Sequence, residues 1–146
     1  MNFYQAESYC ITLGGRLASV QSKDGLDKIA TGQFLSVKSN GYWIGLNILN
    51  KTAGYQWTDN SPVSFTNWNS GQPDNLNGLE ECTETRSNQM WNDINCYLNR
   101  GWICKISKGV VPTSNTIVIA DTYPGKPNFS RFYFNFKIFQ IKSNTM

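Results

Sequence analysis

Four cysteines constrain the fold of this chain more than any other feature. They lie at Cys10, Cys82, Cys96 and Cys104, no two of them form a CxxC pair, and the chain contains no histidine that could complete a zinc site with them. Two disulfides are therefore the favoured state, although the spacing alone leaves three pairings open. Disulfides persist in oxidising compartments, so we expect an extracellular location.

The N-terminus shows none of the features of a secretion signal. No charged segment followed by an apolar stretch precedes the first predicted helix, and no apolar run is long enough to cross a membrane. Because disulfides require an oxidising compartment, we expect the sequence to be a piece of a longer protein. That protein would be secreted or would carry this chain in the ectodomain of a membrane receptor.

The net charge of +3 is divided unevenly along the chain. Residues 1–104 contain seven bases and nine acids, a net charge of −2, whereas residues 105–146 contain six bases and Asp121, a net charge of +5. No Lys/Arg run or basic aromatic motif accompanies this excess, so we expect a solvated tail and no nucleic-acid partner. The absence of histidine removes His-based acid–base catalysis and the Ser–His and Cys–His nucleophile pairs.

Hydrophobic periodicity predicts two helices followed by short strands. Apolar spacings of three and four predict a helix over residues 3–13, ended by Gly14-Gly15, with Cys10 on its apolar face. Ser22 is positioned to cap a second helix, whose apolar stripe is Leu26, Ile29, Ala30 and Phe34. The predicted strands cover residues 16–20, 42–46, 55–57, 81–85 and 101–106.

No hydrophobic period holds from Thr58 to Leu79, where Asn, Ser, Gly and Pro dominate. A loop of about 20 residues inside a compact domain is normally functional or disordered, and Trp68 in its midst indicates a packed loop. The wider segment from Thr58 to Cys96 holds a single base, Arg86, and six acids: Asp59, Asp74, Glu80, Glu81, Glu84 and Asp93. Such an acidic, oxygen-rich and irregular segment is what a hard cation such as calcium requires. Glu81 and Glu84 are themselves expected at solvated strand positions.

Short motifs follow one another in a fixed order along residues 2–106. They are Ala6-x-x-x-Cys10, Gly14-Gly-Arg-Leu-Ala-Ser-Val20, Trp43-Ile-Gly-Leu46, Trp57-Thr-Asp59, Asn67-Trp68, Gln72-Pro73-Asp74, Glu80-x-Cys82, Trp91-Asn92-Asp93, Cys96 and Cys104. Each motif is weak alone, but the ordered set closely resembles the C-type lectin-like domain. The motif Ile103-Cys-Lys-Ile-Ser-Lys108, followed by a Pro-containing linker, is similar to an inter-domain junction of the macrophage mannose receptor family. Within this frame, Trp43, Trp57, Trp68 and Trp102 are predicted core residues and Trp91 a packing residue.

The resemblance implies an α+β fold, the C-type lectin fold, in which two helices pack on small antiparallel sheets beside a long calcium-binding loop region. It implies the disulfide pairs Cys10–Cys104 and Cys82–Cys96. It also implies a first strand that pairs with the last one, and this strand is missing from the domain over residues 1–106. We therefore expect an unpaired edge beside residues 101–106 and a loss of stability. Residues 107–146 are predicted to form a linker and a poorly ordered tail, with one alternating strand pattern at residues 132–138.

The resemblance places both the calcium ligands and the carbohydrate contacts on the same residues: Gln72, Asp74, Glu80, Asn92 and Asp93. All of them carry side-chain oxygens of the kind that calcium takes, and Pro73 is implied to follow a cis peptide bond. In such a site two vicinal sugar hydroxyls complete the calcium shell, while the carboxylates accept their protons. Acids expected at a second calcium site are replaced by Ile48, Thr52 and Asn75, so one ion is predicted.

The order Gln72-Pro73-Asp74 resembles the galactose type, whereas Glu-Pro-Asn is the mannose type. The predicted partners are glycans or glycoproteins with terminal galactose or N-acetylgalactosamine, bound by one unit of an endocytic or immune receptor. Leu76 stands where strong galactose binders have an aromatic residue, which predicts weak affinity or a loose preference. The alternative is a lectin-like module that binds a protein partner and no sugar. An enzyme is not expected, because the same carboxylates are committed to the ion. Two N-glycosylation sequons occur, Asn50-Lys-Thr52 and Asn128-Phe-Ser130.

Overall fold

The computed structural model describes residues 1–31, 40–107, 115–120, 128–134 and 137–143, and the side chains of residues 1–29 and 40–106. Its helices are α1 (Phe3–Thr12) and α2 (Lys23–Thr31). Its strands are β1 (Gly15–Leu17), β2 (Tyr42–Asn47), β3 (Gln56–Trp57), β4 (Cys82–Thr85), β5 (Trp91–Ile94), β6 (Gly101–Ser107), β7 (Asn115–Ala120), β8 (Asn128–Phe134) and β9 (Lys137–Ser143). A 3-10 turn, Leu76–Gly78, lies between β3 and β4. Neither described helix is long and apolar enough to cross a membrane.

α1 begins at a capping box and ends before two glycines. Asn2 Oδ1 accepts the N–H of Gln5 at 2.9 Å, and Gln5 Oε1 accepts the N–H of Asn2 at 3.1 Å. Gly14 follows the helix with φ of 77°, which glycine adopts without strain. The helix predicted over residues 3–13 is confirmed to within one residue, and it buries Cys10 as its apolar face indicated.

α2 begins where the sequence predicts it. Ser22 Oγ accepts a backbone N–H of the first turn at 3.1 Å, which satisfies one of the unpaired donors of the helix end. Leu26 and Ile29 of the predicted stripe are buried. The other two members of the stripe, Ala30 and Phe34, fall outside the described side chains.

The strands form one mixed sheet in the order β5-β4-β2-β6-β7-β9-β8, with β1 paired to β6 and β3 paired to β2. β2 and β6 run parallel, as do β7 and β9, whereas the other pairs are antiparallel. The sheet is thus mixed where antiparallel pairing was expected. A parallel pair needs a long crossover connection, and the chain between β2 and β6 supplies one.

Two disulfides tie the sheet to α1 and to the loop region. Cys10 on α1 is bonded to Cys104 on β6, and Cys82 on β4 is bonded to Cys96 just after β5, which confirms the implied pairing. All four half-cystines lie in one hydrophobic cluster between α1 and the sheet. The second cluster is built around Trp57 and Trp91 under the long loop; it comprises Ala18, Val20, Leu26, Ile29, Tyr42, Ile44, Leu46, Trp57, Trp91 and Ile103.

The tryptophans divide as predicted, with one difference. Trp43, Trp57 and Trp102 are fully buried, and Trp91 is also buried as a packing residue. Trp68 is only partly buried and packs against the second cluster, with its ring centroid 5.9 Å from that of Trp91. The long loop is therefore anchored to the core through Trp68, as expected for a packed loop.

The expectation of an unpaired edge beside residues 101–106 is wrong. β7 pairs antiparallel with β6, from Trp102↔Ala120 to Ser107↔Asn115. Without β7, this edge of β6 would present unpaired N–H and C=O groups. β7 is rich in β-branched residues, which favour strands, and it pairs with these groups. β7, β8 and β9 lie within residues 107–146, and the strand pattern expected at residues 132–138 falls on β8 and β9. The division of the chain into a domain over residues 1–106 and a linker with a tail stays a prediction.

Glu84 is not the solvated strand residue that its polarity suggests. It is fully buried, and its carboxylate forms ion pairs with Arg86, at 2.9 Å, and with Arg100. Two guanidinium groups offset the desolvation of one carboxylate. Glu81, by contrast, is partly exposed and pairs with Lys51 at 2.9 Å.

Candidate functional site

Three carboxylates converge at the end of the long loop. An oxygen of Asp74, one of Glu80 and one of Asp93 all lie within 4.8 Å of one another. Asp74 is exposed, Glu80 is partly buried and Asp93 is fully buried, so the cluster reaches from the surface into the domain. Among the described residues, no other group of three or more metal-ligating Asp, Glu, Cys or His side chains is found.

Asp93 is the fixed member of the cluster. It lies on β5 opposite Thr83 of β4. Its Oδ1 accepts the N–H of Asp74 at 3.1 Å, and its Oδ2 accepts the N–H of Asn75 at 2.7 Å and the hydroxyl of Tyr55 at 3.4 Å. These donors offset the cost of burying the charge and hold the loop against β5.

Tyr55 connects the cluster to the core. Its ring centroid lies 5.0 Å from that of Trp68. Burial raises the pKa of the Tyr55 hydroxyl, and the negative charge of Asp93 raises it further. Tyr55 therefore stays protonated and remains a hydrogen-bond donor to Asp93.

The loop around Pro73 is shaped by its own side chains. The Gln72–Pro73 peptide bond is cis, as the resemblance implied. Gln72 Oε1 accepts the N–H of Asp74 at 3.2 Å, so the two residues on either side of the proline are hydrogen-bonded to each other. This contact keeps Gln72 beside the carboxylate cluster.

Asn75 links this loop to Glu80. Its φ of 44° lies in the left-handed region, which asparagine tolerates better than most residues. Its Oδ1 accepts the N–H of Glu80 at 3.1 Å, while Glu80 Oε2 accepts the N–H of Leu76 at 3.2 Å. The sequence marked Asn75 only as an acid lost from a second calcium site, and its role in connecting the two halves of the cluster was missed. Asparagine after a Pro-Asp turn was the available signal.

The structure treats the five predicted site residues differently. Asp74, Glu80 and Asp93 converge, and Gln72 lies beside them through its contact with Asp74. Asn92 lies on β5 opposite Glu84 of β4, and its Nδ2 donates to the carbonyl oxygen of Asp93 at 2.7 Å. The ligand roles of all five residues stay predictions.

The donor chemistry fits a calcium ion. Burial raises the pKa of Glu80, and the negative charges of Asp93 and Asp74 raise it further. Carboxylates held this close repel one another, and a divalent cation would relieve the repulsion. All the donors are hard oxygens, in a site that is partly exposed, which suits calcium and disfavours metals that prefer nitrogen or sulfur.

The positions expected for a second ion have other roles. The N–H of Ile48 donates to the carbonyl oxygen of Glu81 at 2.9 Å. Thr52 lies at an exposed turn, where its hydroxyl donates to Asn50 Oδ1 at 2.8 Å. The prediction of one ion therefore depends on the carboxylate cluster alone.

Comparison with known proteins identifies relatives of residues 1–106. The family model described as "Lectin C-type domain" matches these residues. C-type lectin domain family 4 member G of Mus musculus is 40% identical over 106 residues, which are 68% of this chain and 34% of that protein. The chain thus spans about a third of this curated relative. The relatives give no support to the narrower resemblance to the macrophage mannose receptor family.

Two solved structures extend the likeness to the fold. The cow carbohydrate-recognition domain of CD23, crystallised in the presence of a GlcNAc2Man3 oligosaccharide, has a TM-score of 0.66 and 30% identity, over 74% of this chain and 82% of that one. A calcium-independent type II antifreeze protein has a TM-score of 0.62 and 25% identity, over 71% of this chain and 77% of that one. The same fold thus occurs both in a carbohydrate-recognition domain and in an antifreeze protein.

Proposed function

The chain belongs to the C-type lectin domain family, and from this membership we propose that it is a calcium-dependent carbohydrate-binding domain of the galactose type. Carbohydrate recognition is the general activity of such domains. The observation that supports the calcium dependence is the convergence of Asp74, Glu80 and Asp93, whose oxygens lie within 4.8 Å of one another. Proposed ligands are glycans or glycoproteins that end in galactose or N-acetylgalactosamine.

The proposed calcium ligands are the three clustered carboxylates and the carboxamide oxygens of Gln72 and Asn92. A bound calcium ion would neutralise the carboxylates and coordinate two neighbouring hydroxyl groups of the sugar. Asp93 is fully buried and held by backbone N–H groups, so it would be the least mobile ligand of the proposed site. Asp74 is exposed and would meet the ligand first.

The protein's own side chains would orient the sugar. Carboxylate oxygens of Asp74 and Glu80 accept the protons of its hydroxyl groups, and the amide N–H of Gln72 donates to a hydroxyl lone pair. Relative to Glu-Pro-Asn, the acid and the amide have changed places on either side of Pro73. The hydrogen-bond acceptor and the hydrogen-bond donor for the sugar hydroxyls have therefore changed places too. Because the 4-hydroxyl is axial in galactose and equatorial in mannose, a site that binds the 3- and 4-hydroxyls can distinguish the two sugars, and we take the order Gln72-Pro73-Asp74 to favour the galactose type.

Leu76 sets the expected strength of binding. This residue is 59% exposed and begins the 3-10 turn. A leucine offers the apolar face of a sugar a small contact area, without the flat surface and the polarised C–H contact that an aromatic ring provides. We therefore propose that single-site affinity is low and that useful binding needs several copies of the domain or of the glycan.

We place the domain outside the cell, in a secreted protein or in the ectodomain of an endocytic or immune receptor. The two disulfides support this proposal, since such bonds are maintained in oxidising compartments. The matched relatives are longer than this chain, so the role of the whole protein would depend on its other segments.

Retention on a sugar resin tests the proposed function. The full chain is applied to galactose and to mannose resins in calcium, and then eluted with a chelator. We expect retention on galactose, release by the chelator, and no retention of Asp74→Ala. The matched control is Asp24→Ala, an exposed acid on α2 that should bind as the wild type does. Equal retention in chelator would contradict calcium dependence, and equal retention on mannose would contradict the galactose preference.

A protein-binding module without sugar recognition is the second candidate. The loop is held by hydrogen bonds from its own backbone and from Tyr55 to Asp93, so its shape does not depend wholly on an ion. The related antifreeze protein is described as calcium-independent. If this candidate is right, partner binding survives both the chelator and Asp74→Ala.

A further inference from the structure

We propose that Asn50 is a site of N-linked glycosylation. The sequon Asn50-Lys51-Thr52 lies in the connection between β2 and β3, and all three residues are exposed. The N–H of Ala53 donates to the carbonyl oxygen of Asn50 at 3.0 Å, so the sequon occupies a tight turn. An exposed turn at the tip of a connection is open to a large enzyme.

The side chains of Asn50 and Thr52 are hydrogen-bonded to each other. Asn50 Oδ1 accepts the hydroxyl of Thr52 at 2.8 Å and its backbone N–H at 3.3 Å. Both contacts engage the carboxamide oxygen, and among the described hydrogen bonds none engages the Nδ2 nitrogen, the atom that would be modified. The side chain of Lys51, the middle residue of the sequon, is directed to Glu81, with its Nζ at 2.9 Å from a carboxylate oxygen. It therefore does not cover the Asn50 side chain.

The disulfides place the chain where this modification is made. Both pairs are formed, which requires an oxidising compartment such as the secretory pathway, and N-glycosylation of Asn-x-Ser/Thr is a modification of secreted proteins. Asn50 Nδ2 would attack the anomeric carbon of an oligosaccharide carried on a lipid pyrophosphate. The new bond joins Nδ2 to that carbon, the bond from the carbon to the pyrophosphate oxygen breaks, the lipid pyrophosphate leaves with the electron pair, and the amide loses one proton to a base of the transferase.

The other sequon lies in a different setting. Asn128 begins β8, where it pairs with Ser143, and Ser130 pairs with Ile141 of β9. Once this strand pair has formed, its backbone is extended and hydrogen-bonded, and a tight turn such as the one at Asn50 is not available. We therefore assign the glycan to Asn50.

A glycan at Asn50 would lie on a connection that contacts the residue next to the carboxylate cluster. The β2–β3 connection is fastened to Glu81 by the N–H of Ile48 and by Lys51, and Glu81 adjoins the cluster residue Glu80. Leu49, which precedes the sequon, is 41% exposed, and the attached sugar would cover part of this apolar surface. The described hydrogen bonds of Asn50 all lie within its own turn, to Thr52 and Ala53, so loss of the glycan should leave ligand binding unchanged.

Secretion of the full chain from a eukaryotic cell, behind a cleavable leader, tests the proposal. The readouts are the gel shift after treatment with a peptide N-glycosidase and the Asn-to-Asp conversion at residue 50 found by peptide mass spectrometry. We expect a shift that is retained in Thr52→Ser, which keeps the hydroxyl. The glycan at residue 50, and the gel shift that it causes, should be lost both in Asn50→Gln and in Thr52→Val, which replaces the hydroxyl with a methyl group.

Ser130→Ala is the matched control, because it removes the other sequon and should leave the conversion at residue 50 intact. Should Asn50→Gln fail to be secreted, the Thr52→Val and Thr52→Ser pair decides the question. Absence of Asp at residue 50 after deglycosylation of the secreted wild type would overturn the proposal, whatever the result of the sugar-resin experiment.

Discussion

The hydroxyl of Tyr55 donates to Asp93 Oδ2 across 3.4 Å, from a residue 38 positions away in the chain. It is the one side-chain donor to Asp93 among the described hydrogen bonds, since the other two are the backbone N–H groups of Asp74 and Asn75. Asp93 is therefore held on one side by Tyr55, which packs on the core, and on the other by two backbone N–H groups of the long loop.

Removing this hydroxyl should weaken calcium binding. Tyr55→Phe keeps the ring packed on Trp68 but leaves Asp93 freer to turn. Outer partners of metal ligands typically contribute 10–100-fold to metal affinity, and for so long a hydrogen bond we expect a loss of about tenfold. Calcium titration followed by calorimetry measures the loss, with Tyr97→Phe as an exposed control. Unchanged or tighter calcium binding in Tyr55→Phe would show that the hydroxyl does not position Asp93.

Much of the fold follows from local signals in the sequence. α1 combines a capping box, an apolar face and two terminal glycines, and all of these lie within a few residues of one another. The apolar run at residues 42–46 likewise predicted β2. The pairing of the four cysteines needed the family resemblance, because spacing alone left three arrangements open.

The remaining features depend on contacts between distant residues. The sequence around Glu84 predicts a solvated acid, whereas the fold buries it in an ion pair with Arg100. No local pattern in the sequence shows that β7 pairs with β6, because the pairing depends on both strands. In the candidate site, the motif residues could be named from the sequence, whereas the contacts of Tyr55 and Asn75 could not.

The buried ion pair makes Arg100 a sensitive position. Arg100→Met leaves the Glu84 carboxylate with the half-exposed Arg86 as its one ion-pair partner among the described residues, and breaking a buried pair in this way costs about 3 kcal/mol. We expect the free energy of unfolding in urea to fall by this amount. Arg86→Met is the matched control and should cost less than about 1 kcal/mol, because its side chain is 47% exposed. Equal losses in the two variants would contradict a special role for Arg100.

Asp59 should make stability depend on pH. Burial acts to raise the pKa of its carboxyl, but hydrogen bonds from Ser19 and Ser61 and the charge of Lys105 outweigh burial and hold the pKa below its ordinary value. A lowered folded pKa stabilises the protein above the unfolded value, about 3.9, and this contribution is lost as the pH falls through the folded pKa. Asp59→Asn should therefore be less stable than the wild type at pH 7.

Urea unfolding at a series of pH values measures this difference. The gap between Asp59→Asn and the wild type should narrow as the pH falls below about 4. Asp27→Asn, which removes an exposed pair with Lys23, serves as the control and should cost little at pH 7. A gap for Asp59→Asn that stays constant down to the lowest pH would contradict the account of this carboxyl.

Direct calcium titration of the full chain tests the central claim that Asp74, Glu80 and Asp93 form an ion site. Calorimetry should show one calcium ion per wild-type chain, no binding by the double variant Asp74→Asn/Glu80→Gln, and normal binding by Asp24→Asn. Calcium should also raise the melting temperature of the wild type but not that of the double variant, because a ligand that binds only the folded state stabilises it. A wild type that takes up no calcium, or a double variant that binds it as tightly, would contradict the claim.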